Sequence, residues 1–281
     1  MIYDCFAFFN ELDLLEIRLH ELDSVVDKFV LVEATRTFQK KAKPLYFQEN
    51  KARFAPFLHK IEHIIVSEYP TFWAKFRVPT AWDYDNHQKE HICRALTHCQ
   101  ANDIIIISDL DEIPKADKVA KFAQTPGVKV FEQRFYNYYL NCICTFFENK
   151  YQKTETAQVN KNGLAYWRGS VMLSYKDFQN VKKTRLMRDK NPPQVTIIEE
   201  GGWHFSFLGG VDKILEKLQA WAHTEAEYQP TYLKDKNYLL KLITQGEDLF
   251  GRNVKFAFTQ IDHTYPIFLQ QNLEKFQQYI K

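Results

Sequence analysis

The feature that most constrains the fold is a run of four isoleucines, residues 104–107, that leads directly into Ser108-Asp109-Leu110-Asp111-Glu112. A strand that is apolar at every position has no solvent-facing side, which is typical of a parallel sheet covered on both faces by helices. Residues 2–9, 28–34 and 61–67 show the same pattern. Apolar residues at helical spacing in 11–22 and 85–100 predict helices between these strands. The first half therefore predicts an α/β fold with a mostly parallel, Rossmann-like sheet.

The second half is richer in aromatic residues, and its strands and helices alternate less regularly. Glycine-rich turns and apolar periodicity define its elements. The predicted elements are one or two strands in 128–147, a strand at 164–175 that contains Gly169, a hairpin of 195–198 and 203–208 turned by Glu200-Gly201-Gly202, and helices at 211–227, 237–245 and 269–280.

Composition narrows the class of protein. The chain has 281 residues, of which 45% are hydrophobic, enough to bury the core of a single domain spanning 1–281. A formal net charge of +2 does not favour nucleic-acid binding. The short basic clusters at 39–43 and 182–185 are predicted to be solvated surface. No stretch approaches the roughly 20 apolar residues that span a bilayer, so any membrane contact would be peripheral.

The five cysteines, Cys5, Cys93, Cys99, Cys142 and Cys144, are odd in number, and the chain starts without an apolar leader. Both features are typical of a reduced, cytoplasmic protein. We expect these cysteines to be buried thiols.

The acidic sequence after the isoleucine strand predicts a cation site. Side chains alternate along a strand, so Asp109 and Asp111 lie on the same side and can face one ion. Carboxylates suit Mg²⁺ or Mn²⁺, which also accept phosphate oxygens as ligands. Ligands of open α/β sheets bind beyond the carboxyl ends of the strands, where this motif lies. Alternatively, the two aspartates only cap the helix after Pro114.

His204, in Gly-Gly-Trp-His-Phe-Ser, is the predicted third ligand. A neutral imidazole is a good ligand for ions such as Mn²⁺. The alternative is a structural histidine that is held by hydrogen bonds.

Four segments together resemble glycosyltransferase family 17, the family of the β-1,4-mannosyl-glycoprotein 4-β-N-acetylglucosaminyltransferases. Their order agrees, and the similarity extends through Gly209-Gly210, His223-Thr224-Glu225 and Asp248-Leu249-Phe250-Gly251. The four segments are Tyr3-Asp4-Cys5-Phe6 followed by Asn10-Glu11, residues 32–38 with Lys43-Pro44-Leu45, residues 108–114, and Gly202-Trp203-His204-Phe205-Ser206.

The resemblance implies a GT-A fold, with a nucleotide-sugar and metal half in 1–114 and an acceptor half in 115–281. It implies a metal-dependent, inverting transfer that uses Mn²⁺ or Mg²⁺. The donor would be a nucleoside-diphosphate sugar such as UDP-GlcNAc, and the acceptor a glycan or a lipid-linked saccharide.

The resemblance also suggests roles for individual residues. Asp111 is the expected direct metal ligand, Asp109 its partner toward metal-bound water or the donor ribose, and His204 the late ligand. The expected donor contacts are Asn10 and Glu33 at the rim of the sheet, with Arg36 and Lys43 near the phosphates; the alternative for the last two is a solvated basic loop.

A carboxylate must remove the proton of the acceptor hydroxyl. Glu112 and Glu225 are the candidate bases, with Asp177 and Glu200 as further alternatives. Tyr138 and Trp203 are the candidate contacts to the acceptor sugar, although most rings near Tyr138 are expected to be core.

Animal relatives carry an N-terminal membrane anchor, whereas Met1 here precedes the first strand by one residue. We therefore expect a bacterial or viral type of enzyme in the cytoplasm, or peripheral at the inner face of the membrane.

Two other functions fit parts of the sequence. A phosphatase of the haloacid dehalogenase type also places Asp-x-Asp after an apolar strand, with the first Asp as nucleophile. Here Glu112 follows the second Asp where that family has glycine. A non-catalytic glycan-binding protein with the same fold is the other alternative.

Overall fold

A computed structural model describes residues 1–69, 77–147, 157–159, 165–225, 228 and 230–281. Within these residues, eleven strands form one mixed sheet. The strands are β1 (Ile2–Phe8), β2 (Lys28–Ala34), β3 (Ile61–Val66), β4 (Ile104–Asp109), β5 (Glu112–Pro114), β6 (Lys129–Asn137), β7 (Cys142–Phe147), β8 (Ala157–Val159), β9 (Ala165–Ser174), β10 (Thr196–Ser206) and β11 (Val254–Phe258).

Helices cover both faces of this sheet. The α-helices are α1 (Leu12–Leu22), α2 (Tyr46–Glu49), α3 (Ala81–Glu90), α4 (Ala116–Phe122), α5 (Val181–Leu186), α6 (Gly210–Leu218), α7 (Lys236–Gln245), α8 (Ile267–Gln271) and α9 (Leu273–Phe276). The 3₁₀ segments are Lys51–Phe57, His91–His98, Tyr175–Asp177, Met187–Asp189, Thr231–Lys234 and Gln277–Tyr279.

The first half of the sheet is parallel, as predicted. Its main order is β11-β7-β6-β9-β4-β1-β2-β3, and β1 pairs in parallel with both β2 and β4, while β2 pairs in parallel with β3. In the second half, β6 and β10 are parallel and the other pairings are antiparallel. The predicted α/β class, with a parallel, Rossmann-like sheet in its first half, is confirmed.

The isoleucine strand is apolar throughout because each of its faces packs on a different layer. Ile104 and Ile106 belong to a core that includes α1 and the C-terminal helices. Ile105 and Ile107 face the opposite side, where Ile92 on the 3₁₀ segment His91–His98 covers them.

The predicted hairpin in 195–208 is wrong. Residues Thr196–Ser206 form one continuous strand, β10, which pairs in parallel with β6 on both sides of an irregularity between Ile198 and Gly202. Gly202 has a φ of +142°, and a Cβ there would lie 2.1 Å from the carbonyl oxygen of Ile113. The glycines therefore form a bulge that lets β5 approach β10, not a turn.

Three predicted helices have other boundaries. The helix predicted at 85–100 begins at Ala81, because Thr80 forms a capping box, and continues as the 3₁₀ segment His91–His98. The helix predicted at 211–227 ends at Leu218, beyond which Trp221 stacks on Phe250; residues 226 and 227 lie outside the described residues. In 269–280, the Asn272 side chain donates to the carbonyl of Phe268 and divides the helix into α8, α9 and a 3₁₀ turn.

Sequence patterns did not predict β5, β8 or β11. Leu164, the first residue of the predicted strand at 164–175, lies outside the described residues; the strand itself is β9.

The expectation of buried thiols holds for Cys5, Cys142 and Cys144, whereas Cys93 and Cys99 are only partly buried. None of the helices in the described parts of the chain has the length and apolar content to cross a membrane.

Candidate active site

A cavity of about 940 Å³ opens beyond the carboxyl ends of β1, β4 and β10. The turn between β4 and β5 forms one wall, residues 109–112, and the end of β10 contributes His204 and Ser206. Basic side chains from three helices complete that region: Lys89 on α3, Arg185 on α5 and Lys217 on α6. The predicted position at the edge of the sheet is thus occupied by a large, charged cavity.

Asp111 and His204 face each other in this cavity. His204 Nε2 lies 3.7 Å from Asp111 Oδ1, and Lys217 Nζ lies 3.0 Å from Asp111 Oδ2. The imidazole is held between the rings of Phe135 and Trp167, with centroid distances of 5.2 and 4.6 Å. Among the described residues, His204 Nδ1 is buried without a hydrogen-bond partner. Burial lowers the pKa of His204 despite the nearby Asp111 carboxylate, so the imidazole is neutral at pH 7.

Asp109 has different partners. Its Oδ1 lies 3.0 Å from Lys89 Nζ, and Arg185 Nη2 donates to its Oδ2 at 2.6 Å. Burial alone would raise the pKa of Asp109, but the charges of Arg185 and Lys89 outweigh burial and hold that pKa well below its usual range. For Asp111, burial is likewise outweighed, here chiefly by the charge of Lys217, and its pKa is also lowered.

Glu112 is enclosed by donors. Trp167 Nε1 donates to its Oε1 at 2.8 Å, and the backbone N–H of Asp109 donates to its Oε2 at 2.7 Å. Arg188 and Arg185 approach the same carboxylate at 3.3 and 3.5 Å. This carboxylate holds the acidic turn against the cations of the cavity wall.

Glycine is required beneath Glu112. A Cβ on Gly169 would lie 2.8 Å from both Cγ and Cδ of Glu112 and 2.2 Å from Oε1 of Gln133. The glycine inside strand β9 therefore marks a close approach of the Glu112 side chain.

Asp111 and His204 are suited to hold a divalent metal ion. They offer a carboxylate and a neutral imidazole, which are both ligands of such ions. Among the described residues, no hydrogen bond to His204 Nδ1 holds the imidazole in another role. Asp109 is instead engaged by Lys89 and Arg185. Within the described residues, no group of three or more His, Cys, Asp or Glu side chains is placed to hold a metal. The structure thus brings together two of the three predicted ligands.

The predicted donor contacts differ in their access to the cavity. Arg36 and Lys43 line it, and Asn10 lies between the lining residues Phe9 and Glu11. Glu33 does not line the cavity: it is fully buried, accepts the backbone N–H of Phe47 at 3.1 Å, and lies 3.5 Å from Lys43 Nζ. Glu33 therefore contacts Lys43, which lines the cavity, from the protein interior.

The predicted acceptor contacts lie in the core. Tyr138 donates from its hydroxyl to the carbonyl of Glu247 at 2.8 Å, and the Trp203 indole donates to the carbonyl of Thr264 at 3.0 Å. Both residues are buried and neither lines the cavity. Aromatic rings that do line it include Trp82, Phe207, Trp221 and Phe250.

Of the two candidate bases, Glu112 lines the cavity and Glu225 does not. The Glu225 side chain is 45% exposed, accepts the Trp82 indole N–H at 2.9 Å and lies 3.5 Å from His223 Nδ1. Because Trp82 and His223 both line the cavity, Glu225 lies at its edge.

Sequence reasoning missed the basic side chains of the site: Lys89, Arg185, Arg188 and Lys217. Arg185 belongs to the cluster 182–185 that was predicted to be solvated surface, yet it is buried against Asp109.

An acidic turn at the carboxyl edge of a parallel sheet, facing an imidazole across a wide cavity, is the arrangement expected of a glycosyltransferase. Comparison with known proteins agrees with this class. The chain belongs to glycosyltransferase family 17, whose family model matches residues 1–264.

Two similar relatives are the β-1,4-mannosyl-glycoprotein 4-β-N-acetylglucosaminyltransferases of Homo sapiens and Rattus norvegicus. Each is 23% identical over 286 aligned residues, which cover 95% of this chain and 52% of the relative. The chain thus spans about half the length of the curated relatives it matches. Among solved structures, HddC from Yersinia pseudotuberculosis is 12% identical over 73% of this chain and 89% of its own, and its TM-score of 0.37 is too low to support a conclusion.

Proposed function

We propose that this chain is a metal-dependent, inverting glycosyltransferase that transfers a sugar, such as GlcNAc from UDP-GlcNAc, to a hydroxyl of a glycan or lipid-linked saccharide. One observation carries the proposal. In a member of glycosyltransferase family 17, Asp111 and His204 meet at 3.7 Å on the wall of a cavity large enough for a nucleotide sugar. The choice of GlcNAc as the transferred sugar agrees with the names of the relatives described above.

Asp111 and His204 would hold the divalent ion, Mn²⁺ or Mg²⁺. When bound, such an ion acts as a Lewis acid that neutralises charge on the leaving diphosphate. Two protein ligands leave coordination positions for phosphate oxygens, which Mg²⁺ and Mn²⁺ sites commonly take from the substrate.

The basic wall of the cavity would bind the donor diphosphate. Arg185, Arg188 and Lys217 are each three-quarters or more buried, so their attraction for phosphate oxygens is weakly screened by solvent. In the described structure their charges are balanced by Asp109, Asp111 and Glu112. Diphosphate oxygens would therefore replace carboxylate oxygens as acceptors of the hydrogen bonds from these cations. A charged diphosphate can do this, whereas a neutral sugar is a weaker acceptor.

A carboxylate at the edge of the cavity would remove the acceptor proton during in-line attack and inversion. Glu225 fits this role better than Glu112. Its carboxylate is accessible and has two described partners, whereas four donors surround Glu112. A carboxylate that is already saturated by donors is a weak proton acceptor.

The phosphatase alternative would need Asp109 as a free nucleophile. Both oxygens of that carboxylate are ion-paired, to Lys89 and Arg185, and this arrangement does not favour the alternative.

A thermal-shift screen of UDP-, GDP- and CMP-sugars, each with and without Mn²⁺, tests the proposal. A ligand at one hundred times its Kd stabilises the folded state by about 2.7 kcal/mol, which corresponds to a rise in Tm of about 5 to 8 °C for a chain of this size. We expect this rise for one nucleotide class and only with Mn²⁺.

Asp111→Ala should abolish the Mn²⁺-dependent rise. Asp212→Asn is the matched control, because Asp212 is an exposed aspartate on α6 that pairs with Lys236 outside the cavity. The proposal fails if no donor gives a metal-dependent shift, or if Asp111→Ala responds like Asp212→Asn. Binding without any sugar turnover would instead favour a non-catalytic glycan-binding protein.

A further inference from the structure

A buried arginine lies directly beneath the acidic turn. Arg18, on α1, is fully buried, and its Nη1 donates to three carbonyl oxygens of the turn. These are the carbonyls of Asp109, Leu110 and Glu112, at 2.9, 3.1 and 3.0 Å. One guanidinium nitrogen therefore fixes the direction of three of the four peptide groups in 109–112.

The rest of the guanidinium is held just as firmly. Its Nε and Nη2 donate to the two oxygens of Asp4 at 2.8 and 2.6 Å, and Nη2 also donates to Ser108 Oγ at 2.6 Å. The Arg18 guanidinium carbon lies 4.5 Å from the centre of the Phe6 ring. Asp4 is fully buried as well, so this ion pair is isolated from solvent.

The fourth carbonyl of the turn is engaged from the other side. Asp111 O accepts the backbone N–H of Phe205 at 2.9 Å, which ties the turn to the residue next to His204. With all four carbonyls held, the backbone of the turn is fixed, and with it the direction in which the side chains of Asp109 and Asp111 leave the backbone; both line the cavity.

We propose that Arg18, oriented by Asp4, is a positioning residue that sets the acidic turn so that Asp111 faces His204. The inference deepens the proposed function and rests on it for the identity of the ligand. Stability alone does not explain the pair, because a buried ion pair can often be replaced by apolar residues without loss of stability. A guanidinium has the planar fork of donors that this turn requires, and a lysine ammonium does not.

The choice of variants separates positioning from folding. Arg18→Met alone leaves Asp4 charged and unpaired in the core, and such a protein is at risk of not folding. The double variant Asp4→Leu/Arg18→Met removes both charges and keeps the apolar volume. Arg18→Lys keeps the positive charge but not the planar fork of donors, so it should not hold the three carbonyls of the turn as arginine does.

Amide hydrogen exchange measures the turn without any ligand. In the folded double variant, and in Arg18→Lys, we expect the amides of Asp109 and Phe205 to exchange at least tenfold faster than in the parent. Amides of β2 should be unchanged, since that strand does not contact the turn. Parent-like exchange of Asp109 and Phe205 in both variants would overturn the inference.

Calorimetric titration of UDP in Mn²⁺ measures the consequence for the site. We expect at least a tenfold loss of affinity in the double variant and no loss in Arg53→Met. Arg53 pairs with Glu16 and Asp13 on another side of α1, so its loss removes an ion pair of the same helix without touching the turn. Equal affinity in the parent and the double variant would overturn the inference. If the parent itself binds no UDP, the proposed donor fails, and hydrogen exchange alone decides the role of Arg18.

Discussion

Replacing Gly169 by alanine should damage the site through a single added methyl group. A Cβ at this position would lie 2.2 Å from Gln133 Oε1 and 2.8 Å from the Cγ and Cδ atoms of Glu112. Carbon atoms at van der Waals contact are about 3.5 Å apart or more, so the Glu112 side chain must move by roughly 0.7 Å. The backbone does not oppose the change, because the φ of Gly169 is not in the left-handed region.

The expected cost follows from two opposing effects. Overpacking a filled site costs about 1–3 kcal/mol of the free energy of unfolding. Alanine also has less conformational freedom than glycine in the unfolded chain, which stabilises the folded state by about 0.4–1 kcal/mol. A net loss of about 1–2 kcal/mol corresponds to a fall in Tm of about 2 to 6 °C for a chain of this size. The displaced Glu112 also loses part of its bonds to Trp167 and Arg188, and about 1 kcal/mol of that loss would weaken UDP binding roughly fivefold.

Gly127→Ala is the matched control. Its Cβ would meet no atom within 4 Å, but its φ of +79° strains an alanine by about 1–2 kcal/mol. The two variants should therefore lose similar stability in a urea or thermal melt, and only Gly169→Ala should lose UDP affinity by calorimetry. If Gly169→Ala keeps the parent Tm and affinity, or if Gly127→Ala weakens UDP equally, the reasoning about Glu112 is wrong.

Three further predictions concern the charged groups of the cavity. Lys217→Met should raise the Mn²⁺ affinity of the nucleotide-free protein by about tenfold or more, because an ammonium bond to Asp111 worth about 1.5–3 kcal/mol no longer competes; calorimetry showing unchanged or weaker Mn²⁺ binding would contradict this. Glu225→Gln should lower kcat by about 10²–10⁴ with little change in KM, whereas Glu112→Gln should mainly weaken UDP binding; a Glu225→Gln enzyme with near-parent kcat would exclude that residue as the base. Burial lowers the pKa of His204 in the folded chain. Below about pH 6.5 the unfolded chain therefore binds a proton that the folded chain does not. Stability should fall as pH falls below that value, by at most about 1.4 kcal/mol per pH unit. Urea melts at pH 7.5 and 5.5 should show a smaller loss in His204→Phe, and an equal loss would assign the effect to other groups.

The parallel half of the fold was predictable because its strands lack a polar face. In β4, both sides of the strand are covered, so the sequence shows no alternation and the burial is visible in the residues themselves. The acidic motif was also placed correctly, because in a parallel sheet the end of such a strand is the edge where ligands bind.

The hairpin error has a physical origin. A pair of glycines after Glu200 is compatible with a tight turn or with a bulge, and the choice depends on what lies opposite. Here β5 approaches so closely that only Gly202 fits, and β6 pairs along both parts of β10. Neither neighbour is visible from residues 195–208 alone.

The basic side chains of the site were missed for a similar reason. A cluster such as 182–185 is solvated on most proteins, and only the packing of α5 against the turn shows that Arg185 pairs with Asp109. Asp4 is the one charged residue of the buried strand β1, and a charge in such a strand predicts a buried partner of opposite sign. Its partner Arg18 is one of several charged residues of α1, so only the structure identifies the pair.

The two residues that face each other at 3.7 Å are 93 positions apart in the chain, and β10 brings the second of them into place by pairing with both β5 and β6. During synthesis, a ribosome that has produced only the Rossmann-like half has made the acidic turn but not its imidazole partner. The two side chains therefore cannot meet until β10 has been made, so chains that end before β10 lack this pair.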